Sequence, residues 1–103
     1  MKNKEVIKIE GKVCKGEFSK ARGLMFSRKK TLIFEFKEEI KVSLHMFFVF
    51  FPINVYFLNK NKEVVEIKEK FNPFTIYFPK NKAKYIVECP NKLNVKIKDK
   101  VDW

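Results

Sequence analysis

The sequence has few of the residue types that usually carry catalysis. His45 is the only histidine, and the three glycines and three serines form neither a phosphate-binding loop nor a nucleophile elbow. Ser43 and His45 lie two residues apart on a predicted strand, where side chains are about 7 Å apart and cannot bond directly. We therefore predict no catalytic residue and lean against an enzyme. His45 is interpreted as a core residue or a ligand-contacting residue, and an enzyme that uses His45 is a third hypothesis.

Cysteine is also scarce, with only Cys14 and Cys89 in the chain. They are 75 positions apart and neither belongs to a Cys-x-x-Cys pair, so together with one histidine they do not complete a zinc site. We predict no metal and no cofactor. Because a disulfide is unfavourable in a reducing cytoplasm, two buried thiols are favoured over a bridge.

Arginine is nearly absent among the positive charges. The chain has 23 lysines and arginines against 12 acidic residues, a net charge of +11, but only Arg22 and Arg28 are arginines. Ammonium groups lack the fork with which guanidinium recognises guanine or phosphate, so a sequence-specific reader of nucleic acid is not favoured. The lysines form either a solvated coat or a surface that binds polyanions.

Long hydrophobic runs are missing as well. The most apolar window covers residues 44–58 and contains His45, Pro52 and Asn54, whereas a membrane helix needs about 20 apolar residues. The N-terminus has charge but no apolar run of signal-peptide length. The sequence therefore predicts a cytoplasmic protein without a membrane partner.

What the chain does contain is typical of a β-rich core. It is 46% hydrophobic and 16% aromatic, with 12 phenylalanines, and its apolar residues mostly alternate with polar ones. This alternation predicts about eight strands, near residues 5–13, 31–36, 41–51, 53–58, 63–69, 74–78, 85–89 and 96–101. Residues 19–26, with Ser19 as N-cap, predict one short helix. We expect a single domain, residues 1–103, folded as a small β-sandwich or partly closed barrel.

Several local features predict how these strands are arranged. Ile7, Ile9 and Val13 should share one face of the first strand. Leu32, Phe34 and Phe36 should share a face of the next strand, as should Val65 and Ile67 further along. Pro52 should break a strand, because it cannot donate to a ladder. Residues 59–62 (Asn-Lys-Asn-Lys) should form a hairpin turn in which asparagine takes the positive φ.

One part of the sequence combines aromatic rings with positive charge. Phe71, Phe74, Tyr77 and Phe78 occur among Lys68, Lys70, Lys80 and Lys82. Rings beside cations are typical of surfaces that bind nucleic acid. Tyr77 and these four lysines are therefore our candidates for a polyanion-binding surface, whereas the phenylalanines of residues 47–51 are interpreted as core.

Four segments in order resemble a known family. They are Ala-Arg-Gly-Leu-Met-Phe at residues 21–26, Leu-His-Met and Phe-Pro-Ile-Asn-Val-Tyr-Phe-Leu within 44–58, Lys-Glu-Val-Val-Glu-Ile at 62–67 and Ala-Lys-Tyr-Ile-Val-Glu at 83–88. They resemble domain-of-unknown-function family 192 over about residues 19–101. The resemblance implies a compact β-rich domain with an early helix and supplies no activity. The family's usual Trp, Lys-Asn-Thr and Asp are replaced here by His45, Phe-Phe-Val at 47–49 and Asn54.

Two functional hypotheses rank ahead of the enzyme that uses His45. The favoured one is a non-enzymatic module that binds a small ligand or a protein partner through Arg22, His45 and Asn54. Arg22 either pairs with a buried carboxylate or binds an anionic ligand. The alternative is nonspecific binding of nucleic acid or another polyanion through the lysine-rich surface.

Overall fold

The structure is a computed structural model that describes residues 5–15, 31–45, 51–73 and 75–103, with the backbone alone at Leu44 and His45. These ranges contain nine strands and no helix. The strands are β1 (Val6–Lys8), β2 (Lys12–Lys15), β3 (Leu32–Ile40), β4 (Leu44–His45), β5 (Ile53–Leu58), β6 (Val64–Phe71), β7 (Ile76–Tyr77), β8 (Ala83–Cys89) and β9 (Lys100–Asp102).

Five strands form the main sheet, in the order β2-β3-β8-β5-β6. All neighbours in it are antiparallel except β2 and β3, which are parallel. Two small ladders accompany the sheet, one between β1 and β9 and one between β4 and β7. Among the described residues, no helix is long and apolar enough to cross a membrane.

Both faces of the main sheet are buried. All six residues of β5 are buried, and alternate ones belong to opposite faces. The first face, the Phe57 face, is built from Leu32, Phe34, Ile53, Val55, Phe57, Phe71, Ala83 and Ile86. The second, the Tyr56 face, is built from Ile33, Tyr56, Leu58, Val64, Tyr85, Val87, Cys89 and Val101. A strand covered on both sides carries a continuous apolar run, which explains the sequence of β5.

The prediction of a mainly β fold is confirmed. The main sheet ends at edge strands β2 and β6, so within the described ranges it does not close into a barrel. The predicted helix at residues 19–26 lies outside the described residues. The sandwich arrangement, the helix and the single-domain organisation therefore remain predictions.

The single strand predicted at residues 5–13 is wrong, because two strands occupy this region. β1 pairs with β9 and β2 pairs with β3, so the chain passes between two ladders near Gly11. A Cβ on Gly11 would lie 2.9 Å from the Thr31 side chain, which leaves no room for a larger residue. Val13 nevertheless keeps the predicted face, because it pairs with Ile33 of the Tyr56 face, against which Ile7 and Ile9 also pack. It is 38% exposed on the edge strand β2, and its neighbour Cys14 packs against the Phe57 face.

The strand predicted at 31–36 has the expected faces and extends to Ile40 as β3. Leu32, Phe34 and Phe36 all pack on the Phe57 face. In β6, by contrast, Val65 and Ile67 pack on opposite faces, and the prediction of a shared face is wrong. The pairing shifts by one residue between Phe57 and Leu58, and such a bulge reverses the alternation.

The predicted hairpin at 59–62 joins β5 to β6 and is confirmed. The Asn59 side-chain oxygen accepts from the amides of Asn61 and Glu63 at 2.9 and 3.0 Å. Lys62, however, is the residue with positive φ, at 61°, so the expectation that asparagine takes this conformation is wrong. Asn59 acts instead through its side chain, as in an Asx-turn.

The remaining strand predictions vary in outcome. Pro52 precedes β5, as predicted. β7 lies within the strand predicted at residues 74–78, and β8 contains the strand predicted at residues 85–89. Of residues 41–51 the structure describes only β4 as strand, and residues 46–50 lie outside the described residues. The last strand begins at Lys100 rather than at residue 96, because the Asp99 amide donates to the Lys96 carbonyl in a turn.

The two cysteines lie on opposite faces of the sheet and no disulfide joins them. Cys89 is buried, and this burial is the main reason why the pKa of its thiol is raised to about 12. The nearby charge of Glu88 adds to the effect. Cys14 is half-buried. The prediction of two thiols rather than a bridge is confirmed.

Candidate functional site: a basic and aromatic surface beside strand β6

A buried carboxylate organises one end of the structure. Glu66 of β6 is 8% exposed and faces the loop that follows β7. Its oxygens accept from the amides of Lys80 at 3.0 Å and Asn81 at 2.9 Å, and from the Asn81 side-chain amide at 3.0 Å. The Tyr77 hydroxyl also donates to this carboxylate. Glu66 therefore ties β6, β7 and the 80–81 loop together.

The ring of Tyr77 completes this arrangement from the other side. It packs against Phe57 and Phe71, with ring centroids 5.8 and 6.2 Å away. The Lys68 ammonium lies 5.5 Å from the Tyr77 ring centroid, within the range of a cation–π contact. One face of β6 thus carries Glu66 and Lys68 against the same tyrosine.

The titration properties of Glu66 and Tyr77 reflect this contact. Burial, together with the hydrogen bond to Glu66, raises the pKa of Tyr77 to about 12. Burial acts to raise the pKa of Glu66, but the hydrogen bonds from Tyr77, Asn81 and Lys80 outweigh it, and the pKa is lowered from its usual value. At neutral pH the carboxylate is charged and the phenol is neutral, so each keeps the form that the hydrogen bond requires.

The loop held by Glu66 places an exposed ring among lysines. Phe78 is 70% exposed, the neighbouring Pro79 is buried, and Lys80 and Lys82 point into solvent. We call Lys68, Tyr77, Phe78, Lys80 and Lys82 the basic–aromatic surface.

The lysines of this surface differ from several others in their partners. Lys8, Lys15, Lys62 and Lys92 each lie within 4.0 Å of a carboxylate. In the part of the chain that the structure describes, no carboxylate oxygen lies that close to the ammonium groups of Lys68, Lys80 or Lys82. None of these three lysines therefore forms an ion pair with a described carboxylate.

The structure does not bring all the sequence candidates together. Lys70 lies near the end of β6 at a second irregularity in the pairing, with φ of 51°. It lines a pocket beside Asn54 and Pro90 rather than the basic–aromatic surface. Phe71 is 1% exposed and belongs to the core, so the expectation that its ring is exposed is wrong. Phe74 lies outside the described residues. Phe71 is buried because β6 pairs with β5, and a local sequence pattern does not reveal this pairing.

Asn54, a candidate ligand-binding residue, has its carboxamide engaged within the fold. It is buried on β5, where its oxygen accepts from the Lys70 amide at 3.1 Å and its nitrogen donates to the Pro90 carbonyl at 3.3 Å. It borders a pocket of about 390 Å³, together with Pro52, Ile53, Glu69, Lys70, Pro90 and Lys92. Asn54 has a structural role, and a role in ligand binding remains a prediction.

The other two candidates of the ligand hypothesis are less defined. Arg22 lies outside the described residues. The backbone of His45 pairs with Ile76 in the β4–β7 ladder, which places His45 beside the strand that carries Tyr77. Within the described ranges, no three histidine, cysteine or acidic residues are grouped so that they could hold a metal ion.

Sequence reasoning missed two buried carboxylates, Glu66 and Glu88. Glu88 is 0% exposed on β8, opposite Leu32 and Val55, and therefore faces the Phe57 face. A glutamate inside the apolar run of residues 85–89 was the available signal for Glu88. No such signal marks Glu66, since a glutamate alternating with apolar residues is typical of an exposed strand face.

The family model for DUF192, described as "Uncharacterized ACR", matches residues 1–103. The chain belongs to this family. The UPF0127 protein of Thermococcus sibiricus is 38% identical over 111 residues, which cover 93% of this chain and 71% of that protein. The UPF0127 protein of Pyrococcus furiosus is 38% identical over 109 residues, covering 99% of this chain and 92% of that protein. The resemblance inferred from residues 19–101 is confirmed and extends over the whole chain.

Two solved structures share the fold of this family member. A protein of unknown function from Novosphingobium aromaticivorans has a TM-score of 0.75 and 21% identity, covering 88% of this chain and 72% of that one. A candidate transcription regulator from Sinorhizobium meliloti has a TM-score of 0.66 and 20% identity, covering 76% of this chain and 65% of that one. At these identities the likeness concerns the fold alone. The relatives are uncharacterised, so the family establishes no specific function.

Proposed function

We propose that this chain is a binding module that takes phosphate polymers on the basic–aromatic surface. The observation that carries the proposal combines two features. Lys68, Lys80 and Lys82 form no ion pair with a described carboxylate, and Glu66 bonds to the backbone of the loop at residues 80–81 and holds it in place. Phosphates release counterions when they bind such lysines, and this release drives association. A cytoplasmic location, as the sequence predicts, would place the surface among such polymers.

Charge and rigidity both favour an anionic partner. The net charge of +11 repels a second copy of this chain and attracts polyanions over a distance of about 10 Å at 0.1 M salt. A backbone already fixed by Glu66 and by the buried Pro79 loses little conformational entropy on binding. The scarcity of arginine is consistent with binding that does not depend on sequence.

The test is fluorescence anisotropy with a labelled oligothymidylate at about 50 and about 200 mM salt, where binding through several phosphates should weaken steeply. The variant Lys80→Glu/Lys82→Glu should lower affinity at least about tenfold. It should also reduce the slope of log affinity against log salt concentration by the amount expected for about two lost phosphate contacts. Lys12→Glu/Lys15→Glu is the control, because it changes the net charge equally on β2, at the opposite edge of the sheet.

Each result decides the proposal. Loss confined to the Lys80/Lys82 variant supports the assignment to this surface. Equal loss in both variants means that overall charge, not this surface, attracts the polymer. Absence of salt-dependent binding by the unmodified protein overturns the function itself.

A further inference from the structure

We infer that the ligand of this surface is single-stranded nucleic acid, with an unpaired base stacked on the ring of Phe78. This inference rests on the proposed function and adds the class of polymer. It starts from the exposure of Phe78, which at 70% is the only exposed aromatic side chain among the described residues. Covering an exposed phenyl ring with an apolar or aromatic partner lowers the free energy, because apolar surface is removed from water.

The position of Phe78 suits it to stacking. It directly follows β7, where Tyr77 points into the Phe57 face and Ile76, 50% exposed, points outward. Because strand side chains alternate, Ile76 and Phe78 lie on the same outward side. Pro79 is buried and the Lys80 amide is bonded to Glu66, so the backbone after Phe78 is held in place.

Single strands fit this combination better than duplexes do. In a duplex the bases are stacked on one another and only phosphates and groove edges are accessible, so a surface phenyl ring has no base face to contact. In a single strand the bases are available and the backbone phosphates remain within reach of neighbouring lysines. Positive grooves with aromatic side chains are the usual means of binding single strands without sequence preference.

The experiment compares three probes by competition against labelled oligothymidylate. The probes are unlabelled oligothymidylate, a DNA duplex of the same length and inorganic polyphosphate of matched charge. We expect oligothymidylate to compete best, because only it offers both phosphates and unpaired bases. Phe78→Ala should weaken oligothymidylate binding about tenfold, in the range of one lost base stack, and should leave polyphosphate binding nearly unchanged. Phe78→Tyr should restore most of the affinity.

Ile97→Ala provides the matched control, because Ile97 is also apolar and 49% exposed but lies in the turn before β9. Circular dichroism and thermal melting verify that Phe78→Ala folds, as expected for an exposed side chain. If Phe78→Ala binds oligothymidylate normally, or if duplex and polyphosphate compete equally well, the stacking inference is wrong while the proposed function stands. If no probe binds, both are wrong.

Discussion

The hydroxyl of Tyr77 donates a hydrogen bond to the buried carboxylate of Glu66, and this contact joins β7 to the edge strand β6. A buried carboxylate is tolerated only when donors satisfy it, and here the donors come from a short strand and the loop that follows. The contact therefore converts a locally weak segment into a fixed part of the surface. Glu66 bonds to the Lys80 backbone amide, and the side chains of Lys80 and Lys82 remain exposed to solvent.

Tyr77→Phe should lower the free energy of unfolding by about 1–2 kcal/mol at about pH 8, because a hydrogen bond to a charged group is lost. The difference should depend on pH. The folded protein keeps the Tyr77 proton until its pKa of about 12, whereas the unfolded chain loses it above 10.0. The stabilisation is thus fully present below pH 10 and is lost as the pH rises towards 12.

Urea unfolding of both proteins from about pH 8 to about pH 11 measures this difference. Cys89 and Tyr56 also have raised pKa values, but they are present in both proteins and cancel. A difference that stays constant or widens with rising pH contradicts the Tyr77–Glu66 contact.

Asn54→Ala should destabilise the protein by about 2–3 kcal/mol, because the Lys70 amide and the Pro90 carbonyl both lose a partner. Thermal or urea unfolding checks it. Asn54→Asp keeps an acceptor for Lys70 but no donor for Pro90, and should lie between the alanine variant and the unmodified protein. Asn94→Ala is the control, since Asn94 is exposed. A neutral Asn54→Ala variant would instead leave ligand binding as the reason for this residue.

The buried carboxylate of Glu88 suggests a partner for Arg22. Arg22 is expected to pair with a buried carboxylate or to bind an anionic ligand. Of the two buried carboxylates in the described residues, Glu88 is the more deeply buried, at 0% exposed against 8% for Glu66. Breaking one side of a buried ion pair costs about 3–5 kcal/mol. Arg22→Met and Glu88→Gln should each be destabilising by this order.

A double-mutant cycle tests the pairing of Arg22 with Glu88. The double variant should be more stable than the sum of the single effects implies, with a coupling of about 0.5–3 kcal/mol. Arg28 is the other arginine, and Arg28→Met combined with Glu88→Gln should be additive. Additive effects for Arg22 as well would favour its binding to a ligand.

The main features of the fold could be predicted because alternation and turn residues act locally. Leu32, Phe34 and Phe36 share a face as their spacing implies, and Pro52 stops a ladder because it has no amide hydrogen. The face shared by Val65 and Ile67 was mispredicted. There the pairing contains a bulge, and one extra residue reverses every side chain beyond it.

The candidate surface could be predicted only in part. The charges and rings of residues 68–82 are visible in the sequence, but which rings are exposed depends on pairing. Phe71 is buried because β6 pairs with β5 at Ile53, whereas Phe78 lies beyond the end of β7. The sequence by itself determined the β class, the family and the excess of lysine, since composition and local periodicity express these directly. Only the tertiary structure decided that Glu66 is buried, that Asn54 bonds to backbone and that Phe78 is exposed, because each depends on contacts between residues distant in the chain.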